Sequence, residues 1–278
     1  MLADMDEMMA ANMRMWDERA PAHAASPGYC VSRLVDDPQY ISDTVAFDLP
    51  RLGRLDGLDV VHLQCHIGTD TVSLARLGAR SVTGLDLSPA SLAEAASVAQ
   101  RCGIDLRLVE GDVNSARELL GETYDLVYTG IGAINWLPDI RRWAQVVADV
   151  LRPGGRLFIR EAHPMMNTLA QARPDGLLVV EYPYGGHVEP LRFDEPGTYV
   201  PTDVVLVETE SYEWNHRLSD IVQAVIDAGL TVRQLVDHDS VPWEFLDGQM
   251  EQIGGGEWRI ADRPERVPHS FTLQAVKA

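Results

Sequence analysis

Basic residues are in short supply. Against 42 acids the chain carries 23 lysines and arginines, a formal charge of −19, and these basic residues form no cluster. A surface that grips nucleic-acid phosphates needs such a cluster, so no nucleic-acid partner is expected. The acidity itself speaks for solubility and selects no function. Long apolar runs are also missing: none reaches the length of a bilayer span. Residues 1–20 contain Asp4, Asp6, Glu7, Asp17 and Glu18 and no basic start before an apolar block, so they do not read as a secretion signal. Cys30, Cys65 and Cys102 are three and widely spaced, which makes neither a CxxC metal pair nor a disulfide framework. His, Asp and Glu show no metal-ligand spacing. The expectation is a reduced, cytoplasmic protein with no membrane contact and no metal.

Glycine is scarce at one telling place. Residues 59–88 read DVVHLQCHIGTDTVSLARLGARSVTGLDLS: an apolar strand, a tight loop, a short helix, a second apolar strand and an acid, Asp86, at its end. This is the opening of a nucleotide-binding α/β unit, with the acid placed to hold a ribose. The loop has one glycine, Gly68, where a dinucleotide fingerprint offers three. A pyrophosphate needs bare backbone close to it; a nucleoside without phosphates does not. The site suits adenosine carrying something else, and S-adenosylmethionine is the common ligand of that description.

Strand and helix signals alternate along the chain. Leu2, Met5, Met9, Met13 and Trp16 recur at helical spacing, and Pro21 is expected to close or follow that helix. Its apolar face has three destinations: its own domain, the active site, or a second copy of the chain, since methionine suits adaptable surfaces. A helix is expected over 41–49 and a strand over 60–65. Thr69 or Asp70 is expected to cap the next helix, which stops at Gly78. A second strand covers 81–87. Ser88-Pro89 gives a strong start to a helix over 90–101, and Gly103 ends it. Further strands are expected over 106–109, 124–129 and 156–160, with a helix over 140–151 before the last. The alternation implies a doubly wound parallel sheet. Residues 165–213, rich in Pro, Gly and Tyr, break it; 177–182 and 204–212 look extended, as an antiparallel insertion. A helix over 217–228, a strand over 231–236, a Gly-rich loop at 254–256 and a strand over 270–276 follow.

This layout resembles the class I S-adenosylmethionine-dependent methyltransferases, well over 57–160 and loosely over the last third. The loop from His62 to Thr69 stands where that family places its glycine-rich loop. Asp86 matches the acid that binds both ribose hydroxyls. Asp112 matches the acid that accepts from the adenine amino group, with Val113 offering backbone to the ring. The run Leu151-Arg152-Pro153-Gly154-Gly155 matches the turn before the fifth strand. The HLQCHIGTDT form of the loop resembles a bacterial subgroup acting on small molecules.

The resemblance implies an α/β fold: a doubly wound, mostly parallel seven-stranded sheet with an insertion after the fifth strand. Its divisions are a helical cap (1–50), a binding core (51–164), a substrate-side lid (165–213) and the rest of the core sheet (214–278). It also implies cofactor contacts from Gln64, Cys65, His66, Gly68, Asp86, Leu87, Asp112, Val113 and Thr129. Trp16, Tyr29 and Ser32 join them by position in the cap.

The loop departs from the family. Gln64 and His66 replace glycine, and positions with φ > 0 tolerate them poorly. Either the loop has another shape or side chains replace backbone contacts, with His66 a candidate to face the cofactor carboxylate.

Methyl transfer is an in-line displacement at a sulfonium, so the protein mainly positions the nucleophile. A neutral amine needs no base; a hydroxyl does; an alkene carbon needs aromatic faces around the cation it leaves. Acceptor residues belong at the C-terminal strand ends. His163 is the expected base, and Asn135, Trp136, Glu161, Tyr199 and His216 are expected to contact substrate. The expected activity is N- or O-methylation of a small molecule in specialised metabolism. Carbon methylation of a prenyl or terpenoid chain, a non-catalytic scaffold, and a homo-oligomer formed through the Met-rich helix are the alternatives carried forward.

Overall fold

A computed structural model describes residues 2–186 and 189–278, with the side chains of 2–4 left aside. Positions 187 and 188 of the expected insertion, and the first residues of the apolar face, Met1 and Leu2, therefore lie outside the described side chains. The core is a seven-stranded sheet in the order β3-β2-β1-β4-β5-β11-β8. Its strands are β1 (Asp59–Leu63), β2 (Ser81–Asp86), β3 (Arg107–Glu110), β4 (Tyr124–Thr129), β5 (Leu151–Ala162), β8 (Leu230–His238) and β11 (Ser270–Lys277). β1 pairs in parallel with β2 and β4, and β4 with β5; β11 runs antiparallel between β5 and β8. The expected doubly wound sheet is what forms.

Strands near the centre of the sheet are buried on both faces, which is why β1 reads as an unbroken apolar run rather than an alternation. One face packs against α7 (Ile140–Val150) and α8 (Leu218–Asp227) through Trp143, Val147, Leu157, Ile159 and Phe271. The other face carries α3 (Asp43–Leu52), α4 (Thr69–Arg76) and α5 (Pro89–Cys102). α5 begins as its sequence dictates: the Ser88 hydroxyl accepts from the Ser91 N–H at 3.0 Å, Pro89 follows, and Gly103 closes it at φ 66°. Strand order reverses between β1 and β4. Their C-terminal ends open the crevice where ligands bind in such sheets.

Four expectations need correcting. α1 runs from Leu2 to Ala25, through Pro21. One missing N–H does not stop it, because the helix is fastened before Pro21 and also after it, where the His23 ring bonds His66 and Thr198. Asp17 accepts from the Ser88 hydroxyl and the Ala90 N–H, and the Arg19 guanidinium donates to the carbonyls of Glu208, Glu195 and Gly197.

The insertion is less sheet-like than expected. Among its described residues only β6 (Leu191–Asp194) and β7 (Glu210–Glu213) pair, antiparallel, and 177–182 contributes a single bridge, Leu169 to Val180. The N–H groups of Val207 and Glu208 donate to the Glu18 carboxylate of α1 rather than to a strand. The Gly254–Gly256 loop is the turn of a hairpin, β9 (Met250–Gly254) with β10 (Glu257–Ile260). The α4 cap is the fourth correction: Gly68, at φ 75°, takes the N-cap position with no side-chain cap bond, and Asp70 sits inside the first turn.

Part of the apolar face of α1 packs within its own chain. Met15 is buried, and Met9, Met13 and Trp16 border the central cavity. Asn12 locks α1 to β7 by two bonds of 2.8 Å, donating to the Tyr212 carbonyl and accepting from its N–H.

Candidate active site

The loop after β1 keeps a glycine-like backbone without the glycines. Gln64 (φ 58°) and His66 (φ 48°) are both left-handed, a conformation that costs a non-glycine residue about 1–2 kcal/mol. Side chains offset this. The Gln64 amide donates to the Ala133 carbonyl at 2.8 Å. The His66 N–H donates to Asp86 at 2.7 Å, and its ring bonds Ser91 (3.0 Å) and His23 (2.9 Å). Burial holds the His66 imidazole neutral, well below its ordinary pKa. Gly68 itself turns away: a Cβ there would meet the Ala95 Cβ at 2.7 Å, so its role is to let α5 approach.

Asp86 ends β2. One carboxylate oxygen accepts from His66 and the other from the Ser88 N–H at 2.9 Å, while burial pushes its pKa up to about 6. Each oxygen keeps a lone pair. Asp112, after β3, accepts from the Asn114 N–H (2.8 Å) and its amide (3.0 Å). Both acids, with Gln64, Cys65, His66, Leu87 and Val113, line one cavity of about 510 Å³. Trp16 closes it, edge-on to His66 and to Trp136 with centroids at 5.1 and 5.2 Å. Tyr29 and Tyr199, whose hydroxyls bond each other, continue that wall through His23 and His66.

Other expected residues fall elsewhere. His163 leaves the cavity wall: its Nδ1 accepts from the Met165 N–H at 3.1 Å, and its Nε2 faces Asp237 at 3.8 Å. Its ring shapes the turn after β5. Glu161 is buried and accepts from the N–H groups of Gly132 (2.5 Å), Ala133 (2.8 Å) and Ile134 (2.9 Å), clamping the loop after β4. Asn135 donates to Glu213, and His216 bonds the Leu137 carbonyl at 2.7 Å; with Glu161 they border a separate small pocket. Thr129 is buried off the wall, and Ser32 is exposed on α2 (Val31–Asp36). Among the described residues no metal-holding cluster of His, Cys, Asp or Glu is found.

Sequence reasoning missed Asp70, His62, Trp243 and Trp258, all on the cavity wall. Asp70 passed as a helix cap. His62 is held by Thr71 at 2.9 Å and kept neutral, its pKa pushed down to about 3 by burial. The tryptophans arrive from segments more than 170 residues away, without any local signal.

Glu161→Ala is expected to cost about 2–4 kcal/mol of stability, since it strands buried N–H donors. Thermal unfolding checks the loss, and tryptophan fluorescence should report the loosened Trp136. Unchanged melting would show that the loop holds without its clamp.

Residues 60–155 match the family model described as a methyltransferase domain. The ubiquinone biosynthesis O-methyltransferase of Cronobacter sakazakii is 32% identical over 160 residues, 56% of this chain and 59% of that one. The trans-aconitate 2-methyltransferase of Deinococcus radiodurans is 41% identical over 102 residues, 36% of each chain. The chain thus spans less than two thirds of the length of these relatives. A solved structure, a putative S-adenosylmethionine-dependent methyltransferase from Listeria monocytogenes, superposes with a TM-score of 0.61 at 14% identity, covering 85% of this chain and 97% of that one. Residues 60–155 thus resemble a methyltransferase domain in sequence, within a chain whose sheet has the Rossmann-like methyltransferase fold.

Proposed function

We propose that the protein is an S-adenosylmethionine-dependent methyltransferase that methylates nitrogen or oxygen of a small molecule in specialised metabolism. One observation carries the reading: Asp86 and Asp112, at the ends of consecutive strands, face the same cavity beside a loop with little bare backbone. The residues present fit the cofactor. Asp86 retains lone pairs for two ribose hydroxyls, Asp112 for the adenine amino group, and Val113 and Leu87 border the place for the ring. The buried Gln64 carbonyl oxygen has no partner in the protein, as expected of a group awaiting a donor. When bound, the cofactor supplies a methyl group already activated on a sulfonium. The chain's own task is to orient the acceptor in line and exclude water, which falls to Trp16, Trp136 and Tyr199 on the cavity wall.

A dinucleotide fits poorly. The loop after β1 offers one glycine, Gly68, which is turned toward α5 and away from the cavity, and no Lys or Arg lines the cavity among the described residues. Calorimetric titration with S-adenosylhomocysteine should give micromolar binding, and NADPH none. Binding of neither would favour a scaffold of the same fold; binding of NADPH alone would favour a reductase.

A further inference from the structure

The cavity extends beyond Asp86 and Asp112 into a chamber whose only charged groups are acids. Asp70, Asp43 and Glu244 line it, and no Lys or Arg does among the described residues. The two buried arginines that act on wall residues are both engaged: the Arg160 guanidinium forks onto both carboxylate oxygens of Glu257, at 2.9 and 2.7 Å, and Arg19, beside Tyr199, donates to backbone carbonyls. Asp43 already accepts from the Tyr40 hydroxyl, and Glu244 from the Gly248 N–H. Asp70, which accepts from the Ser42 hydroxyl and feels the charge of Arg160, faces the chamber too.

Gly130, at the end of β4, opens the space in front of that carboxylate. A Cβ added there would stand 3.5 Å from both the Asp70 Oδ2 and the His62 Nε2, so the missing side chain leaves room for ligand atoms against both. Aromatic faces enclose the same space: Tyr199 lies 5.8 Å from Trp243, ring centre to ring centre, and Trp258 and Tyr29 add to the wall. A carboxylate ringed by aromatic faces attracts a cation twice, by charge and through the rings. It repels a carboxylate or a phosphate.

Resting on the methyltransferase reading, we infer that the acceptor is an amine with an apolar, aromatic-sized body, that it enters as its ammonium ion, and that Asp70 receives it. Asp70 then takes one proton from the ammonium. The freed nitrogen lone pair forms the N–CH3 bond as the methyl–sulfur bond breaks, and the sulfur keeps that electron pair and leaves uncharged. The methylated nitrogen carries the positive charge, and Asp70 returns its proton to solvent when the product departs. Burial already biases the Asp70 carboxyl toward taking up a proton. His62, held neutral, faces the same gap without opposing a cation. Anionic acids and prenyl diphosphates are disfavoured, because nothing in the chamber neutralises them.

The test uses two probes of matched shape, 2-phenylethylamine and 3-phenylpropanoate, titrated calorimetrically into the full chain saturated with S-adenosylhomocysteine. The amine is expected to bind at least tenfold tighter. Asp70→Asn should remove most of that preference while S-adenosylhomocysteine still binds. Equal or tighter binding of the carboxylate, binding of neither probe, or an amine preference that survives Asp70→Asn overturns the inference. If Asp70→Asn unfolds, the wild-type contrast between the two probes decides alone. Failure of S-adenosylhomocysteine to bind the wild type sinks the methyltransferase reading instead; the two probes are then compared on the protein without it, and their ranking still decides the amine question.

Discussion

Asp86→Ala is expected to weaken S-adenosylhomocysteine binding about ten- to a hundredfold. That is the scale of ~1.5–3 kcal/mol for hydrogen bonds to a charged group. The loss has two sources. The ribose hydroxyls lose a shared acceptor, and the His66 and Ser88 N–H groups lose theirs, which frees a loop already held in left-handed backbone at Gln64 and His66. Asp86→Asn separates the two: it keeps the shape and an acceptor while removing the charge, and should fall between.

The wild type adds a pH signature. Burial raises the Asp86 carboxyl to about 6, so the carboxylate form that accepts from the ribose is present above that pH and is lost as pH falls through it. Affinity should decline below about pH 6 in the wild type and stay flat there in Asp86→Ala. The sign for folding is opposite. An unfolded aspartate ionises near pH 4, so its folded counterpart binds the proton more tightly, and Asp86 costs stability increasingly from about pH 4 to 6 and fully above. Calorimetry across pH 5–8 measures the first effect. Equal affinities for wild type and variant would place the ribose elsewhere.

Glu257→Ala is expected to be the most destabilising single change considered, about 3–5 kcal/mol. Arg160 is fully buried in the middle of the sheet, with its guanidinium 3.6 Å from the centre of the Phe47 ring. Removing Glu257 leaves that charge inside the protein with the Ser240 carbonyl at 3.5 Å, the Ser270 hydroxyl at 3.3 Å and the more distant Asp48 and Asp70 carboxyls, none of which replaces the two-oxygen fork. The melting temperature should fall by on the order of 10 °C. The double variant Arg160→Met with Glu257→Leu removes both charges and should recover most of the loss, since a buried ion pair itself adds little over apolar packing. If the double variant melts as low as the single one, packing rather than stranded charge sets the cost. The pair also fastens the β9–β10 hairpin to β5. That hairpin brings Gln252, Gly256 and Trp258 to the cavity, so Glu257→Ala should weaken binding of an acceptor probe more than that of the cofactor product.

How far the sequence reaches depends on the range of the contacts involved. The helix start at Ser88-Pro89, the acid closing β2 and the apolar run of β1 are local facts, written within a few residues, and each formed where expected. Pro21 misled because a local rule met long-range fastening at Asp17 and Arg19. His163 and Glu161 misled for a related reason. A buried polar side chain must satisfy itself, and both found backbone partners nearby, which places them off the wall of the large cavity.

The sequence by itself determined the α/β sheet, its nucleoside-binding edge and the acids Asp86 and Asp112, because periodicity and strand-end position are properties of short segments. Only the tertiary structure decided the chamber around Asp70. Asp70 reads locally as a helix cap, Gly130 as a loop residue, and Trp243 and Trp258 as part of a remote segment. They become one wall when the antiparallel β11 and the Arg160–Glu257 pair fold the end of the chain over the crevice between β1 and β4, through contacts whose partners lie about a hundred residues apart and more.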